Sequence, residues 1–332
     1  MIIKSIKLVN FRCHNTYTLE CKKDTSLILG ENGCGKTSVL EAIYILTRGK
    51  SFRATDSEIL KREEDFYRIE LEFENGEKNI AVYDGNKKTF FIADKKSGRL
   101  PKKNKYPVVL FLPSDLNLIS HSPSRRRDYF DRFFTILSED YNNNLLKYEK
   151  ALKQRNELLK SEYLKKEMLF SWDLMLARYG SKLFSARKDY TDTINSLLTK
   201  TYHSIAKNKD EINLTYKTEI EKSDESYYLK KLDENFEKDK ILKHTSFGIH
   251  RDNYLFEFNS KQADGSASRG ETRSIILALK FIEAKFIEKE LNKKPIILLD
   301  DVFSELDKTR RKSLIDNFKD NQVIITSVEA ID

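Results

Sequence analysis

Apolar residues recur along this chain with two periods, and the switches between them outline its elements. Ile6 and Leu8 alternate with Ser5 and Lys7 across 2–10, which predicts a strand with one buried face. Ser26-Leu27-Ile28-Leu29 is a short unbroken apolar run that reads as a buried strand, and Leu40, Ile43 and Tyr44 then follow at helical spacing. From 66 to 93 the period returns to two. Tyr67, Ile69, Leu71 and Phe73 alternate, and Asn75-Gly76 and Asp84-Gly85-Asn86 supply the turns of an antiparallel meander through 80–83 and 89–92. Val108-Val109-Leu110-Phe111-Leu112 predicts another buried strand, stopped by Pro113, and a helix is expected from Pro123 with Ser122 as its cap.

Residues 137–243 are charged, poor in glycine and proline, and helical throughout by pattern. One stripe runs Leu176, Tyr179, Leu183, Ala186, Tyr190, Ile194 and Leu197, and an earlier one Leu145, Tyr148, Leu152 and Leu159. Two long helices folded back on each other account for both, with Met168, Trp172 and Met175 assigned to their core. β-like sequence resumes at 247–252 and 254–258, a helix is expected over 272–289, and apolar strands close the chain at 295–301 and 322–326. Unbroken apolar strands suit a parallel sheet buried on both faces. The expected architecture is α/β: a head formed by 1–120 and 244–332, with a mixed sheet and an antiparallel meander, interrupted by a helical lobe at 121–243.

Composition narrows the function classes. With 39% apolar and 11% aromatic residues, the 332-residue chain is not disordered despite 34% charged residues. Its net charge of +8 favours an anionic partner such as nucleic acid. Cys13, Cys21 and Cys34 are too few and too irregular for a disulfide framework or a zinc site. No apolar run is long enough to span a membrane, and Met1-Ile2-Ile3-Lys4 leads into a strand, so a soluble cytoplasmic protein is expected.

The chemistry concentrates in two clusters. Gly30-Glu31-Asn32-Gly33-Cys34-Gly35-Lys36-Thr37 fits the phosphate-binding loop of nucleotide hydrolases, between the strand and helix that the motif requires. Its glycines let backbone N–H groups close around phosphate oxygens, Lys36 is expected at the β- and γ-phosphates, and Thr37 is expected on Mg²⁺. Asp300 and Asp301 end the strand at 295–301. Asp300 is assigned to the metal and Asp301 to orienting or deprotonating the attacking water. Arg12 is either an ordinary surface arginine or a neighbour of the nucleotide. The basic stretch Arg48-Gly49-Lys50-Ser51-Phe52-Arg53 suits phosphate contact, although most charge runs are solvated. Ser268-Arg269-Gly270-Glu271 opens a helix and reads equally as an anion site or as a capping box. His250, beside Arg251-Asp252, is better placed for a functional role than the other histidines.

Taken in order, the sequence resembles the RecF family, bacterial recombination-repair ATPases of the ABC/SMC-like class. The resemblance rests on Asn10-Phe11-Arg12, the loop from Gly30 to Thr37, Gly49-Lys50-Ser51-Phe52-Arg53, Ser122-Pro123-Ser124-Arg125-Arg126-Arg127 with Asp131, Gly248-Ile249-His250-Arg251-Asp252, Ser268-Arg269-Gly270-Glu271 and Leu298-Leu299-Asp300-Asp301. It implies an ABC-type P-loop ATPase head with an inserted helical lobe, ATP and Mg²⁺ as cofactors, and slow DNA-stimulated hydrolysis. It also implies a homodimer on ATP binding, in which Ser268 and Gly270 meet the triphosphate of the opposite copy. The expected partners are single- and double-stranded DNA at gap junctions and the RecO and RecR proteins, with no membrane. Ser-Arg-Gly-Glu departs from the usual Ser-Gly-Gly-Gln, no Q-loop glutamine stands out, and Thr326-Ser327 replaces a switch histidine. The chain ends at Asp332, so a short or absent C-terminal tail is expected. The alternatives weighed are a defence ATPase of the overcoming-lysogenisation type, an SMC-like tether and a transporter subunit. The first normally carries a nuclease domain after the head, for which this sequence is expected to end too early; the second needs a long coiled-coil arm that the pattern does not offer, and the helical lobe and 122–131 disfavour the third.

Overall fold

The N-terminal alternation forms β1 (Ile3–Phe11), which turns at Arg12-Cys13 and returns as β2 (His14–Glu20). β3 (Thr25–Leu29) enters the glycine loop, followed by α1 (Lys36–Arg48) and the single turn α2 (Asp56–Ile59). The meander is β4 (Tyr67–Phe73), β5 (Lys78–Tyr83), β6 (Lys88–Ile92) and β7 (Lys95–Ser97), and β8 (Val108–Phe111) comes next. The helical stretch holds α3 (Pro123–Leu137), α4 (Glu139–Leu159), α5 (Phe170–Ala206), β9 (Ile212–Lys217), α6 (Glu225–Glu234) and α7 (Phe236–Leu242). β10 (Asn253–Phe258), β11 (Lys261–Gln262), the turn α8 (Ala263–Ser266) and α9 (Arg269–Leu291) lead to β12 (Ile296–Asp300), α10 (Lys308–Phe318) and β13 (Val323–Ser327). The computed structural model describes residues 2–93 and 95–329. Among them, no helix is long and apolar enough to cross a membrane.

The chain divides into two compact units, Met1–Leu116 with Glu283–Asp332, and Asn117–Ile282. In the first, the β content is shared between two sheets. One is antiparallel, in the order β2-β1-β4-β5-β6-β7, and the other is parallel, in the order β3-β13-β12-β8. Every residue of β8, β12 and β13 is buried, as their unbroken apolar sequences require. α1 touches β1, β4 and β5 of one sheet and β8, β12 and β13 of the other. That sandwiched position explains why its apolar residues are buried on every face and not along one stripe. Gln322 fastens this unit by exchanging bonds with the Ile3 backbone at 2.7 Å and donating to the Lys22 carbonyl at 2.8 Å.

The second unit is larger than the expected 121–243. β9, inside the stretch read as helical, pairs antiparallel with β10 and packs on α5, so the returning strand belongs with the helices. Its alternation is too short to interrupt the surrounding helical pattern. Of the two stretches expected to resume β structure, 254–258 lies in the strand Asn253–Phe258, whereas in 247–252 Ile249–Arg251 is a 3-10 turn that Gly248 enters at φ 133°. α4 and α5 pack against each other, as expected of two long helices joined by a short connection. Met168 is exposed, because it sits on the turn between them and the adjacent Leu169 takes the buried place. On α5, Leu197 is exposed while Arg187 and Thr191 are buried, so the inward face is partly polar.

That face explains the segment around His250. Arg187 donates to Asp131 at 2.8 Å, to Asp252 at 3.1 Å and to the Ile249 carbonyl at 2.7 Å. His250 bonds the Tyr148 hydroxyl at 2.8 Å and the Thr245 carbonyl at 2.9 Å, which makes it an internal support. Burial pushes its imidazole down to about 4, against the weaker opposing pull of the Thr245 carbonyl. The unfolded chain therefore takes up a proton that the folded one refuses between the ordinary value of 6.5 and about 4. The stability that rests on the neutral ring is complete above this window and is lost as the pH falls through it. His250→Gln is expected to flatten the acid side of the stability curve by up to about 3 kcal/mol, measured by urea denaturation across the window.

Candidate nucleotide site

β3 ends at Leu29, and the chain crosses 30–35 before α1 begins at Lys36. Gly33 and Gly35 adopt left-handed backbone, φ 84° and 99°, which sets the first N–H groups of α1 around the cleft. A Cβ on Gly35 would also lie 2.4 Å from Cys13 Sγ and 2.3 Å from His14 Nε2. Close backbone approach therefore demands glycine here as much as the dihedral does. Lys36 Nζ donates to the carbonyls of Gly30 at 2.6 Å and Glu31 at 2.9 Å, so the ammonium lies at the mouth of its own loop. Cys34 is exposed, with its Sγ packed so closely over Gly30 that a Cβ there would be 2.6 Å away.

The parallel order places β12 beside β13, and this brings the acidic pair to the loop. Thr37 Oγ1 donates to Asp300 Oδ1 at 2.7 Å, and Thr326 Oγ1 donates to the same oxygen at 2.9 Å. Asp301 turns into left-handed backbone at φ 49°, held by its N–H donating to the Thr326 carbonyl at 3.1 Å and hydroxyl at 3.0 Å. Its Oδ1 is buried and accepts no hydrogen bond among the described residues. Burial raises the Asp301 carboxyl above its ordinary value; Asp300 and Glu305 add to this and Lys36 opposes it. Asn32, Gly33 and 35–38 line a cleft of about 620 Å³ together with Asp300, Asp301, Arg12, Cys13 and Arg53. That volume suits a ligand of nucleotide size.

A family model described as an AAA ATPase domain matches residues 1–331. The DNA replication and repair protein RecF of Lachnoclostridium phytofermentans is 33% identical over 343 residues, which cover 98% of this chain and 92% of that one. The chain belongs to the RecF family. The RecF of Clostridium tetani is also 33% identical, over 339 residues with the same coverage. Among solved structures, the recombination mediator protein RecF-ATP of the RecFOR pathway matches with a TM-score of 0.87 at 29% identity, over 100% of this chain and 93% of that one. An SMC head domain from Pyrococcus furiosus, at 15% identity and a TM-score of 0.52, shares the fold. The expected ABC-type P-loop head is thus the fold of this RecF-family chain.

For Mg²⁺, the Thr37 hydroxyl and Asp300 carboxylate present hard oxygen donors side by side, and Asp301 adds a buried oxygen without a hydrogen-bond partner among the described residues. No group of three or more His, Cys, Asp or Glu able to hold a metal occurs among the described residues. This oxygen set fits Mg²⁺, which keeps waters and substrate phosphates among its ligands. Ser268 and Gly270 lie in the second unit at the start of α9. Ser268 N–H donates to Glu271 Oε2 at 2.6 Å and Glu271 N–H to Ser268 Oγ at 3.3 Å, a reciprocal capping box. The capping geometry anticipated from the spacing is therefore present, and it accounts for a glutamate in this position.

Sequence reasoning missed Glu41. It lies in the middle of α1, fully buried, and forms ion pairs with Arg12 and Arg53 at 2.8 and 2.9 Å. Arg12 is accordingly not an ordinary surface residue, and the basic stretch ending at Arg53 is not merely solvated. The available signal was a lone carboxylate within the otherwise apolar run 39–46.

Proposed function

We propose that this RecF-family chain binds ATP in the cleft and pairs with a second copy when it does so, and that the pair retains DNA at single/double-strand junctions until slow hydrolysis releases it. The carrying observation is the convergence of Lys36, Thr37, Asp300 and Asp301 at the carboxyl end of the parallel sheet. A relative solved as RecF-ATP and the net charge of +8 support the nucleotide and the nucleic acid respectively. Lys36 would leave its loop carbonyls for phosphate oxygens, and Thr37 with Asp300 would hold Mg²⁺. When bound, that ion neutralises phosphate charge. Asp301 orients the attacking water and accepts its proton. In the pair, Ser268 and Gly270 of one copy complete the enclosure of the triphosphate held by the other. RecO and RecR are the proposed protein partners, with loading of recombinase as the proposed outcome.

Sedimentation velocity with ATP and Mg²⁺, together with retention of a gapped duplex, tests this reading. The chain is expected to shift from monomer to dimer with ATP, to retain DNA only then, and to lose DNA steeply as salt rises. Lys36→Ala is expected to lower ATP affinity by about a hundredfold and to abolish both responses. ATP-independent sedimentation in the wild type would overturn the clamp.

A further inference from the structure

Glu41 has no solvent exposure, and an isolated carboxylate buried in this way is strongly unfavourable. Its oxygens are saturated by the cleft's own cations. Oε1 accepts from Arg12 Nη2 at 2.8 Å and Ser51 Oγ at 2.6 Å, while Oε2 accepts from Arg12 Nε at 2.9 Å and from Arg53 Nε and Nη2 at 3.1 and 2.9 Å. Burial alone would raise this carboxyl, but the hydrogen bonds from Arg12, Arg53 and Ser51, with the charge of Arg53, hold it below its ordinary value.

Three features connect this cluster with the nucleotide. Arg12 and Arg53 line the cleft and stay partly exposed, at 22% and 37%. One carboxylate between two guanidiniums leaves this three-residue cluster net positive, and each guanidinium keeps N–H donors that Glu41 does not use. Thr37 and Glu41 stand at i and i+4 of α1, on one face, so a single rigid helix sets the spacing between the threonine and the arginine pair. Arg12 sits in left-handed backbone at φ 57°, a conformation an arginine keeps only where its surroundings hold it.

We propose that Glu41 is a positioning residue for nucleotide binding, holding Arg12 and Arg53 together so that their remaining donors meet the phosphate chain as one unit. This rests on the reading of the cleft as the ATP site. Glu41→Gln keeps the shape and removes the charge that gathers the two arginines. Binding of a fluorescent ATP analogue, with circular dichroism to confirm folding, should show affinity reduced about tenfold. In turnover, KM should rise while kcat stays within about twofold. The same substitution in an Arg12→Ala, Arg53→Ala background should have no further effect on affinity, which a purely structural glutamate would not predict. Should Glu41→Gln fail to fold, Arg12→Ala and Arg53→Ala, alone and together, replace it, and their losses must be non-additive. Wild-type affinity in folded Glu41→Gln, or strictly additive losses, would overturn the proposal. A wild-type chain that binds no ATP would overturn the reading of the cleft as well.

Discussion

Asp301→Asn is expected to slow ATP hydrolysis by about 100- to 1,000-fold while leaving ATP affinity within about twofold. The amide is nearly isosteric and disturbs neither the N–H bonds of residue 301 to Thr326 nor the Asp300–Thr37 contact. What it removes is a proton acceptor. Asp301 is suited to that task because it lines the cleft and its buried Oδ1 has no hydrogen-bond partner among the described residues. Its raised pKa points the same way, since a more basic carboxylate takes a proton from water more readily. A chain that binds ATP without consuming it should remain paired, so the variant is expected to sediment as a dimer in ATP and to hold gapped DNA after the wild type has let go. Single-turnover hydrolysis checks the first expectation; a rate within about tenfold of wild type would move the proton acceptor elsewhere.

Arg187→Ala is expected to destabilise the second unit by about 3–5 kcal/mol, a large share of an ordinary domain's stability of about 5–15 kcal/mol. Arg187 is 2% exposed and paired with two carboxylates, Asp131 and Asp252, besides the Ile249 carbonyl. Alanine leaves the buried Asp252 and the partly buried Asp131 without their shared cation, around a cavity. Arg187→Met fills much of the space but not the charge, and should recover only part of the loss. The single tryptophan, Trp172, lies on α5 of the same unit and reports its unfolding in urea. An unchanged midpoint would mean that the network contributes nothing net. Asp131, His250 and Asp252 belong to the segments that mark the family resemblance, and in this chain their structural task is to organise the second unit's interior.

Local chemistry was readable without coordinates. The glycine loop declares itself because contiguous residues make the whole device: a strand, a turn that needs glycine, and a helix start. The meander shows because a strand with one buried face must alternate, and Asp300 shows because β12 must end where its carboxylates reach the loop. β2 was overlooked because Tyr17 and Leu19 are only partly buried, and β9 because its alternation is brief within helical surroundings. The second unit runs on to Ile282, since β10 finds its partner in β9 and not in the head.

The order of residues alone settled that this chain carries a phosphate loop, an acidic strand end and the motif series of the RecF family. Tertiary structure alone decided which charges meet. Glu41 reaches Arg12 across 29 positions, and His250 reaches Tyr148 across 102. The reason is physical: a backbone motif is closed by its own neighbours, whereas the partner of a buried charge or ring is whatever donor the folded chain brings within about 3 Å.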